Sequence, residues 1–241
     1  MAKKSKSDDR RERLEQLERE RKAAERKRTL MFAGVVGLVA AIIIGATAWS
    51  LISENRRQAQ ISDRNLEEFG VAASEAGCDE PAEVDAQGSG EHVPEGAIPY
   101  DAAPPASGPH RPNWVTLARP FYTADDRPEV PLLVHNLEHG YTVLWYDETI
   151  ADDDQALQEL EDLSSKFSDD TLETAFIAAP WTSDDGGDFP DGQHIAFTHW
   201  SADEGGIWQY CSEPSGEALE AFMKDYPYYD APEPIGGYQG Q

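Results

Sequence analysis

Residues 30–52 read LMFAGVVGLVAAIIIGATAWSLI and contain no charged side chain. As a helix rising ~1.5 Å per residue they would reach roughly 34 Å. That is enough to cross a hydrocarbon core of ~30 Å with some tilt. Trp49 suits the headgroup level on the far side. A buried core helix is the competing reading, but a 23-residue charge-free run fits poorly in a chain with 27% charged residues. A cleaved signal peptide is the nearer rival, because Ala46-Thr47-Ala48 resembles a small-x-small cleavage site. Against it stand a charged leader of 29 residues and an apolar run longer than the usual ~7–15. We therefore expect an uncleaved single-pass anchor.

Charge divides on either side of this run. Residues 1–29 hold 12 Lys/Arg against 7 Asp/Glu, whereas residues 53–241 hold 8 against 39. Basic flanks stay in the cytoplasm, so the N-terminus is expected inside and the acidic part outside the cell membrane. Arg26, Lys27 and Arg28 would sit against anionic headgroups of the bilayer. A net charge of -26 makes the chain a poor nucleic-acid binder, because phosphate binding needs clustered Lys and Arg, and no nucleic-acid partner is expected. With 6 Trp, 9 Tyr and 8 Phe the chain has the means to build a core, which argues against full disorder. The acidic surface reads as a solvated exterior. A calcium loop lacks support, since no D-x-[DN]-x-[DN]-G run with its terminal Glu is present.

The two cysteines, Cys78 and Cys211, rule out a disulfide-dense scaffold and any four-thiolate cluster. Both fall on the outer side, where such pairs are usually joined. Joined, they would close a loop of over 130 residues. The chain-entropy model values that at ~5 kcal/mol, and practice gives less.

We divide the chain into a basic charged helix (1–29), the membrane helix (30–52), a helical stalk (53–77) ended by Gly77, an outer domain (78–235) and a tail (236–241). Glu15–Arg19 and Glu18–Lys22 are favourable i,i+4 pairs in the first segment. Residues 79–112 are Pro-, Gly- and acid-rich and read as irregular. Beyond them, residues 142–146 (TVLWY), 174–181 (TAFIAAPW) and 194–200 (HIAFTHW) read as strands. Residues 152–167 and 215–226 read as helices, with Ser215 capping the second. The order β-α-β-β-α predicts a small α+β sandwich, helices packed on a sheet of three or more strands. The segment from Pro227 is expected to wrap or fray.

All six histidines lie in the outer part. The densest stretch is Val134-His135-Asn136-Leu137-Glu138-His139-Gly140, which matches the H-x-x-E-H pattern. Two His four residues apart can share an ion only on a helical turn, where their Cβ atoms lie ~5–6 Å apart. In a strand they would be ~13 Å apart. The metal reading thus requires a helical turn before TVLWY, and Gly140 could stop it. Glu138 could be a ligand, a base, or the acceptor that orients a histidine. The plainer alternative is a hydrogen-bonded His/Glu cluster pinning a loop. A second stretch, Pro104-Pro105-Ala106-Ser107-Gly108-Pro109-His110, is a stiff turn that presents His110 in a set direction.

These stretches resemble an actinobacterial membrane-anchored family, domain-of-unknown-function family 3105. The resemblance rests on Glu91-His92-Val93, Tyr100, the PPxSGPH stretch ending at His110, and VHNLEHG at residues 134–140. Cys211 and the final helix extend it to residues 78–235. One departure is that the family's strand ends in Ala-Trp-Gly, where this chain has Thr198-His199-Trp200-Ser201. His194 and His199 therefore gain no support. The resemblance brings no activity, but implies that His92, His110, His135, Glu138 and His139 form one pattern.

Imidazole and carboxylate donors suit Zn(II), or Cu(II) by the affinity order. Met223 is the only outer methionine and the cysteines are expected to pair, so a soft Cu(I) site is disfavoured. The motifs for nucleotide binding and for a serine nucleophile elbow are absent, so neither a nucleotide nor an organic cofactor is indicated. The expected function is a membrane-anchored outer domain that binds a divalent metal, with enzymatic activity left open. One alternative is a metal-dependent hydrolase with Glu138 as general base. Another is a metal-free structural protein meeting a membrane or envelope partner.

Overall fold

The computed structural model describes residues 6–84, 90–115, 119–167 and 175–236, and side chains within these except at 6–12 and 84. The chain forms two compact units, residues 1–59 and 60–241. Helix α1 (Lys6–Asp63) runs for 58 residues, and all but its last turn belongs to the first unit. Its apolar stretch is bare: Leu30, Phe32 and Trp49 are each more than 70% exposed. The helix is long and apolar enough to cross a membrane. The hydroxyl of Thr47 donates to the carbonyls of Ile43 and Ile44 within the same helix. No polar group of that side chain is then left to face hydrocarbon.

The second unit is built on one five-stranded sheet, in the order β1-β5-β4-β2-β3. Its strands are β1 (Ala82–Val84), β2 (Thr142–Tyr146), β3 (Phe176–Pro180), β4 (Ile195–Ser201) and β5 (Gly205–Cys211). β2 and β3 run parallel and every other pair is antiparallel. The helices are α2 (Val130–Glu138), α3 (Glu148–Ala151), α4 (Asp154–Ser164) and α5 (Gly216–Asp225).

Strand side chains alternate between two faces, and both faces are covered. Leu144, Tyr146, Phe176, Ile195, Phe197 and Ile207 pack with Leu160 and Leu163 of α4 and with Leu219 and Phe222 of α5. Val143, Trp145, Ile177, Ala196 and Trp200 pack with Leu133, Val134 and Leu137 of α2. Burial on both sides explains why β2, β3 and β4 read as nearly unbroken apolar runs.

The α+β class and all three expected strands are present. Thr174, at the edge of one expected strand, and residues 237–241 of the expected tail lie outside the described residues. The helix expected over 152–167 is present as α4 with a closing 3-10 turn at Ser165–Phe167, and the short α3 precedes it. Asp147 caps α3 through the N–H groups of Thr149 and Ile150, and Asp153 caps α4 through Gln155 and Ala156. Ser215 accepts from the N–H of Ala218, as its capping role requires.

Three features differ from the sequence reading. The sheet also contains β1 and β5, which lengthen the β-α-β-β-α order. β5 was hidden by its Gly205-Gly206 start and by the polar Gln209 among its aromatics. The H-x-x-E-H stretch does take the helical turn that the metal reading required, at the end of a nine-residue helix with Pro131 in its first turn. Finally, the helical stalk ends at Asp63 rather than Gly77. Residues 60–77 belong to the second unit, with Ile61, Phe69 and Ala76 buried. These few apolar residues lie among acidic ones and form no helical stripe, yet each meets the core. Cys78 and Cys211 are joined in a disulfide, which ties this segment to the end of β5.

Candidate metal centre

α2 ends by a specific device. Gly140 has φ +90°, its N–H donates to Leu137 O, and the N–H of Tyr141 donates to Asn136 O. This is the Schellman arrangement, and it needs glycine at the left-handed position. A Cβ on Gly140 would also strike the Tyr228 carbonyl. The helix therefore stops just after His139, with His135, Glu138 and His139 on one face.

His110 arrives from the opposite side, on the stiff 104–110 turn. β5 holds that turn: the indole N–H of Trp208 donates to Pro104 O (2.7 Å) and the hydroxyl of Tyr210 to Ala103 O (2.8 Å). The Tyr100 hydroxyl donates to Pro109 O (2.7 Å). His92 comes in on an extended segment alongside: Val93 N–H donates to His110 O, and His110 N–H to Glu91 O. Arg111 donates to the carbonyls of Val93 and Gly96 and pairs with Glu129, just ahead of α2.

Four of the five expected donors meet. Ligand atoms of His92, His110, His135 and Glu138 all lie within 4.8 Å of one another. His110, His135 and Glu138 are buried, and the His92 side chain is 48% exposed. The fifth, His139, stands at the margin, its Nε2 2.9 Å from that of His135. His194 pairs with Asp147 and His199 donates to Asp230 O, and neither belongs to this group.

The protonation pattern follows from the partners. Nδ1 of His110 lies 2.9 Å from Gly108 O, Nδ1 of His135 2.6 Å from Arg111 O, and Nδ1 of His139 2.6 Å from Glu233 O. A carbonyl oxygen can only accept, so each Nδ1 carries a proton, and Nε2 is the atom left to bind an ion when the ring is in its neutral form. Carbonyl-anchored imidazoles of this kind are the usual outer support of metal ligands.

The lone pairs converge. His110 Nε2 is 3.0 Å from Glu138 Oε2, yet the two make no well-directed hydrogen bond and are otherwise unpartnered. Adjacent ligands on an ion with ~2.0–2.1 Å bonds stand roughly 2.9–3.4 Å apart. The 3.0 Å separation of His110 Nε2 and Glu138 Oε2 matches that spacing.

Electrostatics point the same way. Burial raises the Glu138 carboxyl, but the neighbouring His110, His135 and His139 outweigh it and hold the group below its ordinary value. Burial pushes His135 down, as do His110 and His139, and the Arg111 carbonyl only partly offsets them. Burial also opposes charge on His110, but the Glu138 carboxylate, the Gly108 carbonyl and Glu233 bring it above its ordinary value. The site is thus a negatively charged carboxylate among imidazoles, a donor set that fits a divalent cation.

Sequence reasoning missed three supports. Gly90 is one: a Cβ there would collide with Glu138 Oε1. The others are Arg111 and the Glu233 backbone. Of these only Arg111 carried a signal, by directly following the PPxSGPH stretch.

Fold and site together define a class: an α+β domain behind a membrane-length helix, with a buried histidine–carboxylate cluster. The family model described as "Protein of unknown function (DUF3105)" matches residues 92–237. The chain belongs to that family, and the match includes every donor named above. No curated protein and no solved structure matches the chain.

Proposed function

We propose that this protein is a membrane-anchored domain, outside the cytoplasm, that holds one divalent metal ion through His92, His110, His135 and Glu138. The observation that carries this reading is the convergence of Nε2 lone pairs and a carboxylate, each buried imidazole fixed through its Nδ1 proton. Zn(II) and Cu(II) are the ions that suit such donors. The anchor would be the apolar part of α1, with the basic end cytoplasmic, the bilayer as partner, and the disulfide consistent with an oxidising compartment.

Glu138 acts here as a ligand rather than a general base, because its Oε2 faces His110 Nε2 inside the donor group. This favours binding over hydrolysis. Full-length protein in detergent micelles is the material for the test, with metal content read by elemental mass spectrometry. Near-stoichiometric zinc or copper is expected in the parent, and its loss in a His110→Ala, His135→Ala double variant. Glu138→Gln should weaken retention strongly; unchanged retention with loss of a hydrolytic activity would instead make Glu138 a base. Retention should also fall as the solution is acidified, since protons compete for the same lone pairs. A folded parent that takes up neither ion would overturn the proposal.

A further inference from the structure

The buried donors leave open how a hydrated ion reaches them. His110 and Glu138 are 0% and 6% exposed at the side chain. His139 is half-buried and stands between the cluster and a surface groove. Trp114, His139, Glu233, Pro234 and Ile235 line this groove, which encloses about 510 Å³. The Trp114 ring packs 4.7 Å from that of His139, and the His139 ring 4.7 Å from that of His135. The C-terminal segment closes the groove's far wall: Glu233 N–H donates to Glu138 O, and Ile235 N–H to His139 O.

We propose that His139 is an exchange ligand and that the Trp114–Glu233 groove is the channel by which the ion enters and leaves. This rests on the metal reading above. Nδ1 of His139 is held by Glu233 O, which leaves Nε2 as its ligand atom. An incoming ion would exchange one bound water for the His139 Nε2 lone pair. It would then exchange another for His135 Nε2, 2.9 Å away. The His139 bond would break as the ion settles among His92, His110, His135 and Glu138. No electron moves, any proton on His110 Nε2 would leave to solvent with the displaced waters, and a nitrogen donor is at hand throughout. Glu233, in the groove lining, would supply negative charge to gather cations. His92 is the rival way in, since it too is half-exposed.

The test uses full-length protein in micelles, stripped of metal, with Zn(II) alone as probe. Uptake and loss to excess chelator are followed by stopped-flow with a zinc indicator. The parent should take one equivalent. His139→Ala and His139→Gln should still take one equivalent at similar affinity, but load and release about tenfold more slowly, a shift on the scale that outer partners exert on metal sites. Glu233→Gln should slow loading alone. Unchanged rates in both His139 variants would overturn the channel and leave His92 as the way in. Loss of the equivalent in those variants would also overturn it, by making His139 a permanent ligand. A parent that binds no zinc would instead overturn the metal reading itself.

Discussion

Glu138 is the residue on which the site turns, and its position depends on a glycine with no chemistry of its own. Gly90 packs against the Glu138 carboxylate so closely that a methyl group would displace it. Gly90→Ala should therefore lower metal affinity by about 10–100-fold, the range for lost outer support, while the melting temperature of the metal-free protein hardly changes. Competition with a chelator of known affinity measures the first and a thermal melt the second. The motif marked His135, Glu138 and His139, and the family resemblance joined His92 and His110 to them as one set. Gly90 could not be picked out, because what matters about it is the space it leaves for a residue 48 positions away.

Among the elements, α2 converts a five-residue pattern into a site. Its stop at Gly140 was legible, since glycine after a short apolar helical run is a physical end signal. Gly140→Ala forces a left-handed backbone on a residue with a Cβ and drives that Cβ into the Tyr228 carbonyl. It should cost about 1–3 kcal/mol, measured as a shift in the denaturant midpoint. The segment after α1 makes a second case. Arg64 pairs with Glu159 of α4 at 2.5 Å. Burial raises the Glu159 carboxyl, but Arg64 and the Gly70 N–H outweigh it and hold it below its ordinary value. A group lowered on folding stabilises above its unfolded value and loses that contribution as pH falls through its folded value. Glu159→Gln should thus cost under ~1 kcal/mol at neutral pH and flatten the acid side of a stability–pH curve. An equally steep acid side in the variant would show that other carboxylates dominate.

At the scale of the whole molecule, the Cys78–Cys211 disulfide closes a separation of 133 residues. By the chain-entropy model a loop of that size contributes up to about 5 kcal/mol. A Cys78→Ser, Cys211→Ser variant should melt well below the parent, and reductant should lower the parent's melting point toward it. Protease added to intact cells should remove the domain and spare the basic end if the orientation proposed here is right. By itself the sequence determined what local chemistry controls: the membrane-length helix, the apolar strands 142–146, 174–181 and 194–200, the caps, and which residue types could bind a metal. Only the tertiary structure decided which of them meet. His92 and His110 approach α2 because β5, a strand too rich in glycine to announce itself, holds the 104–110 turn through Trp208 and Tyr210. The same packing sets His139 at the edge of the group and sends His194 and His199 elsewhere. Periodicity and motif spacing are properties of neighbours along the chain, whereas a ligand set is a property of neighbours in space. Here the second follows from burying both faces of one sheet.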